Sequence, residues 1–493
     1  MTLSHPTRRE FFTYVGAVSA APVFRAQAKD AHRWDASFDV VIVGSGAAGL
    51  SAALSVHEAG CRSILILEKM SFAGGASRIS CGYFNAVDPQ RQRAMHIEDS
   101  LELFEAQTIK SSHGKGSKEL IHILCSQALD CLHWLEGYGV RYADNCSQIY
   151  GGMFPRGHIP LVQNPNESYI DILVERCLER GIEIQYSQSA DEIIAENNCV
   201  LGVKTSNTSG PSGKKAKTRF IRARKALILA SGGFAANAAL CEAHDVRLRG
   251  LETTNPPSST GEVMLEAIAI GAYAAGCDYI ECMPSPVRFS RFAVFTERML
   301  FVDAKGRRFV REDEFRDVIR DKVLSLPDRR AYVIVDNDGY MQCPLAFREN
   351  AEEELKKQRV FRGSTIAELA EKLRIPAAVF VKTIKDYNES VSSGNDRQFG
   401  RGRESMRYAI TQEPFWAASC DMAIHHTMGG LLIDRYCRVM NWEGAPIKGL
   451  FACGEVVGGI HGANRIGGNA ITEAHVFGRI AGRSAVSGVS GDV

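Results

Sequence analysis

The 14 cysteines include no C-x-x-C pair and no C-x-x-C-H. That excludes an attached c-type haem and argues against a zinc or iron–sulfur site, so no metal is expected in this chain. No run reaches 18 apolar residues, so no stretch is long enough to cross a bilayer as a helix. Charge of one sign is also missing: the net charge is +1, which gives no footing for nucleic acid or an anionic membrane as partner. What remains is ordinary soluble-protein text, 45% hydrophobic and 23% charged over 493 residues, enough for two or three domains. A chain of this size folds without disulfides, and most of the cysteines read as small buried residues.

One unit stands out. Phe38 to Glu68 reads FDVVIVGSGAAGLSAALSVHEAGCRSILILE. Asp39 to Val43 is a short apolar run of the kind that forms a buried parallel strand. Gly44, Gly46 and Gly49 follow in the spacing G-x-G-x-x-G, then an Ala/Leu-rich helix, then a strand from Ser63 to Leu67 ending on Glu68. Gly44 permits the tight turn, Gly46 lets the backbone approach a pyrophosphate, and Gly49 lets helix pack on strand. The helix N-terminus offers N–H groups and a positive dipole end to phosphates. Glu68 sits where a carboxylate can accept from ribose hydroxyls. The glycine spacing alone is weak evidence; with strand, helix, strand and acid in order, it predicts a dinucleotide site.

Before this unit, Arg8 and Arg9 precede a mildly apolar stretch to Phe24 and then Ala26-Gln27-Ala28. The pattern resembles a twin-arginine export signal over residues 1–28, with the mature chain beginning near Lys29 in the periplasm. After Glu68 comes a second glycine cluster, Ala73 to Ser77, then Cys81-Gly82, where small residues let backbone lie along a flat or phosphorylated ligand. Residues 97–138 and 167–180 read as helices. Residues 182–188, 192–196, 201–205 and 219–221 read as strands of an antiparallel excursion with a polar tip at 206–217. Lys225 to Ala230 reads as a buried strand ending in Ser231-Gly232-Gly233. From about 278 to 426 aromatics, arginines and acids crowd together, with 355–390 mostly helical; beyond that, glycine-rich text returns and a last helix starts at Ala470. The expected architecture is α/β: a Rossmann-like domain in two segments, 29–277 and 427–493, with an α+β capping domain inserted at 278–426.

Several separated segments then resemble one family. FACGEVVGGIHGANRIGGNA (451–470), HHTMGG (425–430), GRRFVREDEFRD (306–317), ALILASGGF (226–234) and STGE (259–262) are similar to the flavoprotein of soluble fumarate reductases and urocanate reductases, flavocytochrome c-type FAD-dependent enoate reductases. The resemblance runs from about residue 38 to 485. It implies FAD between the two segments, with substrate against the flavin beneath the cap. FAD contacts carried over are Gly44, Gly46, Ala48, Gly49, Glu68, Lys69, Gly75, Ala76, Ser77, Gly82, Ala230, Ser231, Gly232, His426, Glu455, Ala470 and Ile471. Covalently flavinylated relatives carry a histidine near the second glycine cluster; Ala76-Ser77-Arg78 here implies non-covalent FAD. His425 and Arg465 would hold a substrate carboxylate, with Thr296 and Met283 also at the substrate. Arg316 would be the proton donor and Glu297 the acid that relays protons to it.

Those roles suit the chemistry. Reducing an enoate needs a hydride on one face, a proton on the other, and cations at the carboxylate; reduced FAD supplies the hydride. Arginine is a weak acid, pKa above about 12, yet it can protonate a developing carbanion if a carboxylate restores its proton. On charge alone, Arg316 reads as a surface salt bridge in an Arg/Glu-rich segment; the resemblance implies a catalytic role instead. Two departures from the family pattern stand out: its histidine–proline for a second carboxylate is Met283-Pro284, and its T-G-D-G is Thr260 to Val263. No haem or FMN domain shares the chain, so electrons would come from a separate carrier, such as a small c-type cytochrome or a quinol dehydrogenase. The reading is an exported, FAD-dependent reductase of a small α,β-unsaturated carboxylate. Its rivals are a dehydrogenase like the 3-ketosteroid Δ1 enzymes, which use tyrosines and no carboxylate clamp, and a flavin electron-transfer protein without a substrate of its own.

Overall fold

The computed structural model describes residues 33–162, 167–208, 217–284, 295–327, 329–343 and 345–487. Arg8, Arg9, the rest of the 1–28 segment, Lys29 and most of the polar tip at 206–217 lie outside the described residues.

The continuous apolar runs in Ala36–Val43 and Ile64–Leu67 place both strands inside a sheet, paired in parallel with Val43 opposite Leu67. Gly44 leaves the first strand at φ +105°, where a Cβ would lie 2.3 Å from the carbonyl oxygen of Ala230. Helix Ala47–Glu58 then runs back so close that a Cβ on Gly49 would lie 2.0 Å from the Gly44 oxygen. Backbone contact, not flexibility, therefore demands glycine at both places. Glu183–Gln185 extends the sheet in parallel beside Ile64–Leu67. This corrects the expectation that 182–188 belongs to the antiparallel excursion, which begins at Gln188–Glu196 paired with Cys199–Asn207.

The two strands read at 219–221 and 225–230 are one, Thr218–Leu229. Its composition changes midway because its neighbours change. The charged first half pairs antiparallel with Cys199–Asn207, while the apolar second half pairs in parallel with Pro446–Ala452, Leu227 opposite Leu450. Ala36–Val43 runs along its other edge. A strand from the end of the chain thus completes the sheet begun at its start, and the last helix, Asn469–Ser487, packs on helix Ala47–Glu58.

Between these segments a four-stranded antiparallel sheet forms, in the order Leu300–Asp303, Ala331–Val335, Phe415–Ser419, Val360–Gly363. Val360–Gly363 interrupts the stretch expected to be mostly helical; helices Ile366–Leu373 and Ala377–Ser393 follow it. Leu300, Ile334, Leu369, Phe380 and Tyr387 make a hydrophobic cluster separate from the main core. Beside it, buried Glu312 accepts from Arg308 and from Arg401, and Arg308 also donates to Asp396. This ion-pair group fixes the chain four residues before helix Arg316–Leu324 and so aims that helix at the main domain. Most cysteines are buried, as expected, and burial pushes several thiols, Cys131 and Cys282 among them, up to about 12.

Candidate active site

A cleft enclosing about 1910 Å³, its open mouth included, runs from the glycine turns to the base of the cap. Its walls run without a break from the glycine turns to His425, Arg316 and Arg465, an extent that suits a long dinucleotide with a second small molecule at its end.

The cradle is mostly backbone. Helix Ala47–Glu58 starts at Gly46 without a side-chain cap; Ala47 N donates 3.2 Å to Ser77 Oγ. A Cβ on Gly46 would meet nothing nearer than Ser77 Oγ at 3.6 Å, so this face of the turn opens on the cleft. An uncapped helix start with room before it fits a pyrophosphate. Glu68 lines the cleft beneath it, accepting from Ser45 N at 3.1 Å and Met70 N at 2.8 Å. Sixteen of the seventeen residues expected at FAD line this cleft. Gly49 does not; it serves the helix–strand contact. Lys69 lines the rim but pairs with Glu262 at 2.6 Å.

At the far end, strands Ile280–Pro284 and Met422–Thr427 pair antiparallel, Glu281 opposite His426 and Met283 opposite Ala423. The register slips between Glu281 and Cys282, which makes His425 the extra residue of a β-bulge. Adjacent residues of a regular strand face opposite ways; the bulge re-aims the chain, and His425 and His426 both line the cleft. Thr254 Oγ1 lies 2.7 Å from His425 Nδ1, and Asn255 donates 2.7 Å to the His425 carbonyl, holding the bulge in place. His426 Nδ1 lies 3.3 Å from Glu455 Oε1, which also accepts from Thr427 N at 3.0 Å.

Arg316 opens its helix against this strand pair. It donates to Glu281 Oε1 and, at 2.5 Å, to the Tyr150 carbonyl. Gly151 and Gly467 leave it room: Cβ atoms there would come within 2.1 Å of its Nε and 2.6 Å of its Nη2. Arg465 Nη2 donates 2.8 Å to the same Glu281 oxygen. Arg316, Arg465 and Glu281 are 5%, 4% and 1% exposed, and the two arginines line the cleft while Glu281 stands behind them. Each arginine keeps a buried Nε without a hydrogen-bond partner, that of Arg316 against Gly151; as side chains lining the cleft, both present positive charge to an anion there.

Glu281 was not foreseen, and its signal was local: it stands two residues before Met283, hence on the same face of one strand. Glu297 and Thr296, expected at the reacting end, form the turn Thr296–Arg298, and neither lines the cleft. Burial raises the Glu297 carboxyl, opposed by charges on Arg298, Arg407 and Arg401. The Arg316 guanidinium is turned to the 281 strand.

Burial also sets the charges around the flavin side. It pushes the Glu455 carboxyl up to about 7 and Glu473 up to about 8. His426 lies well below its ordinary value and His461 falls to about 3, both through burial and then the charge on Arg465. Burial lowers Arg465 itself, with Glu281 opposing.

Fold and cleft together define a flavin-dependent oxidoreductase with FAD as its cofactor. The chain belongs to the FAD binding domain family, which it matches over residues 39–471. It is 34% identical over 461 residues to an NADH:fumarate oxidoreductase of Klebsiella pneumoniae, covering 92% of this chain and 48% of that one. It is 30% identical over 503 residues to the acrylate reductase flavoprotein subunit of Shewanella woodyi, covering 97% of both. The chain spans about half the length of the first relative and nearly all of the second. Among solved structures it resembles the open conformation of a flavocytochrome c3 fumarate reductase at 29% identity and TM-score 0.72, over 98% of this chain and 81% of that one. A 3-ketosteroid Δ4-(5α)-dehydrogenase of Rhodococcus jostii, at 24% identity and TM-score 0.72, shares the fold.

Proposed function

We propose that this protein reduces the C=C bond of an α,β-unsaturated carboxylate, and that a monocarboxylate suits it better than fumarate. The observation that carries this is the pair of buried arginines lining one end of a cleft whose other end is the glycine cradle. Bound FAD, held without a covalent link, would supply the hydride. Arg465 and His425 bind the carboxylate and draw electron density from the β-carbon. Arg316 gives its proton to the α-carbon as charge develops there. The relatives named for fumarate and acrylate support an enoate over a steroid; the likeness to the steroid enzyme is one of fold.

Met283 carries the preference. It lines the cleft where the family pattern has a histidine for a second carboxylate, and a thioether donates no hydrogen bond. Leaving the second carboxylate of fumarate without that partner costs about 2–3 kcal/mol, roughly 30- to 150-fold. Arg288 and Arg291, which could reach in to a dicarboxylate, lie outside the described residues. The protein's setting completes the reading: export to the periplasm through Arg8 and Arg9, and electrons from a separate c-type cytochrome or quinol dehydrogenase.

The test is anaerobic. Flavin reduced in the purified protein should be reoxidised by acrylate, methacrylate, cinnamate or urocanate faster than by fumarate, and not by 3-ketosteroids. Reoxidation by no enoate would end the proposal, and fumarate as best substrate would end its monocarboxylate part. Acid precipitation of the holoprotein should release the flavin into the supernatant.

A further inference from the structure

The two arginines of the cleft do not stand there as two free charges. Glu281 is 1% exposed and does not line the cleft, yet one of its oxygens accepts from both Arg316 and Arg465. Its other oxygen has no hydrogen-bond partner. Two guanidinium groups thus converge on one carboxylate oxygen, which sets an acidic group directly against two positive ones. From this arrangement we infer that Glu281 is a positioning residue that sets specificity: by cancelling one arginine charge it leaves the cleft a single net positive charge and selects monoanionic substrates over dianions.

The inference rests on the proposed enoate reduction but not on Met283, since it concerns total charge and not hydrogen bonding at the substrate's far end. Among the described residues, the other ionisable neighbours do not supply a second cation. His426, opposite Glu281 in the strand pair, is kept neutral by burial, and buried His461 likewise. Glu455 can only add negative charge. Tyr150 sets its ring 5.1 Å from the Arg316 guanidinium and its carbonyl on Nη2. His425 faces Thr254. Arg320 is occupied on the Ile280 carbonyl, one residue from Glu281, and on Asp321. A dianion entering here takes up a proton as it binds, since otherwise one negative charge would stay buried and uncompensated.

Two measurements on the holoenzyme test this. In Glu281→Gln, which keeps shape and removes charge, the ratio of kcat/KM for fumarate to that for acrylate should rise roughly 10- to 100-fold. The dissociation constants of succinate and propionate, read from the flavin spectrum, should shift in the same sense even if turnover is lost. A ratio unchanged within about twofold, or both substrates falling in equal proportion, overturns the inference. Should Glu281→Gln fail to retain flavin, the wild type decides by calorimetry in buffers of different ionisation enthalpy. Succinate binding should take up about one proton more than propionate binding; equal uptake would overturn the inference. Failure of every enoate to reoxidise the flavin is a separate outcome, and it bears on the proposed reaction.

Discussion

The two ends of the cleft are built by different means. At the dinucleotide end, recognition rests on main chain: a helix start without a cap, a strand leaving at φ +105°, and glycines that cannot carry a Cβ. Its turn and helix start lie within one strand–helix–strand unit, closed from outside by the Ala230 carbonyl and the Ser77 hydroxyl. At the reacting end, recognition rests on side chains from distant segments. Glu281, Arg316, His425 and Arg465 meet only because a strand pair, a helix start and a glycine loop converge. The first construction tolerates little change in backbone and much in side chains; the second is the reverse.

The sharpest test of this contrast is at the reacting end. Arg316→Ala should keep FAD, because no part of the glycine turn depends on it, and lose about 10²–10⁴-fold or more in kcat through loss of its proton donor. Glu281 retains Arg465 as a partner, so the variant should fold. A variant keeping a tenth of wild-type kcat would remove Arg316 from that role.

At the other end, Gly44→Ala makes the smallest possible side-chain change but should disturb the cradle itself. Its Cβ would stand 2.3 Å from a backbone oxygen in a left-handed conformation, and the strain of that conformation alone is about 1–3 kcal/mol. The expected result is a low yield of flavin-loaded protein with a depressed melting temperature. A wild-type flavin content and melting temperature would show that the turn relaxes freely.

This contrast also explains what could be read in advance. The unit from Phe38 to Glu68 was legible because its pattern is local: apolar run, spaced glycines, helix, apolar run, acid. Thr218–Leu229 was split in two because its partners change midway, and partners are not written in the strand itself. The bulge at His425 was hidden for the same reason, since it exists only relative to the 280–284 strand. Glu281 could have been found by counting two residues back from Met283. Its contacts could not, because Arg316 and Arg465 lie far along the chain.

Buried acids between the two ends give a pH test. Glu473 is held at about 8 by burial, against an ordinary 4.5. Between those values the folded protein keeps a proton that the unfolded chain releases, so stability falls as pH rises. The contribution is fully present below about 4.5 and lost as pH passes about 8. Each such group costs up to about 1.4 kcal/mol per pH unit in that window. Glu455, held at about 7, adds to the slope in its lower part. Denaturant unfolding of the holoprotein from pH 5 to 8 should show this decline, and Glu473→Gln should flatten it. An unchanged slope in that variant would mean that the proton sits elsewhere.

The smallest effect is expected where a charged side chain stands at the backbone-built end. The family resemblance puts Lys69 on FAD, but here its ammonium lies 2.6 Å from Glu262 and 3.3 Å from Thr260 Oγ1, with both partners of the ion pair substantially exposed. Exposed pairs of this kind contribute about 0–1 kcal/mol. If the cradle holds the dinucleotide mainly through main chain, Lys69→Ala should weaken FAD binding by less than about fivefold, the equivalent of ~1 kcal/mol. Flavin release titrated by fluorescence in low and high salt checks this, since a direct lysine–phosphate contact weakens steeply with ionic strength. A loss of more than about tenfold, erased by salt, would mean that Lys69 abandons Glu262 for the pyrophosphate. The division between a main-chain end and a side-chain end would then fail at this position, and Glu262→Gln, by freeing the lysine, should tighten FAD.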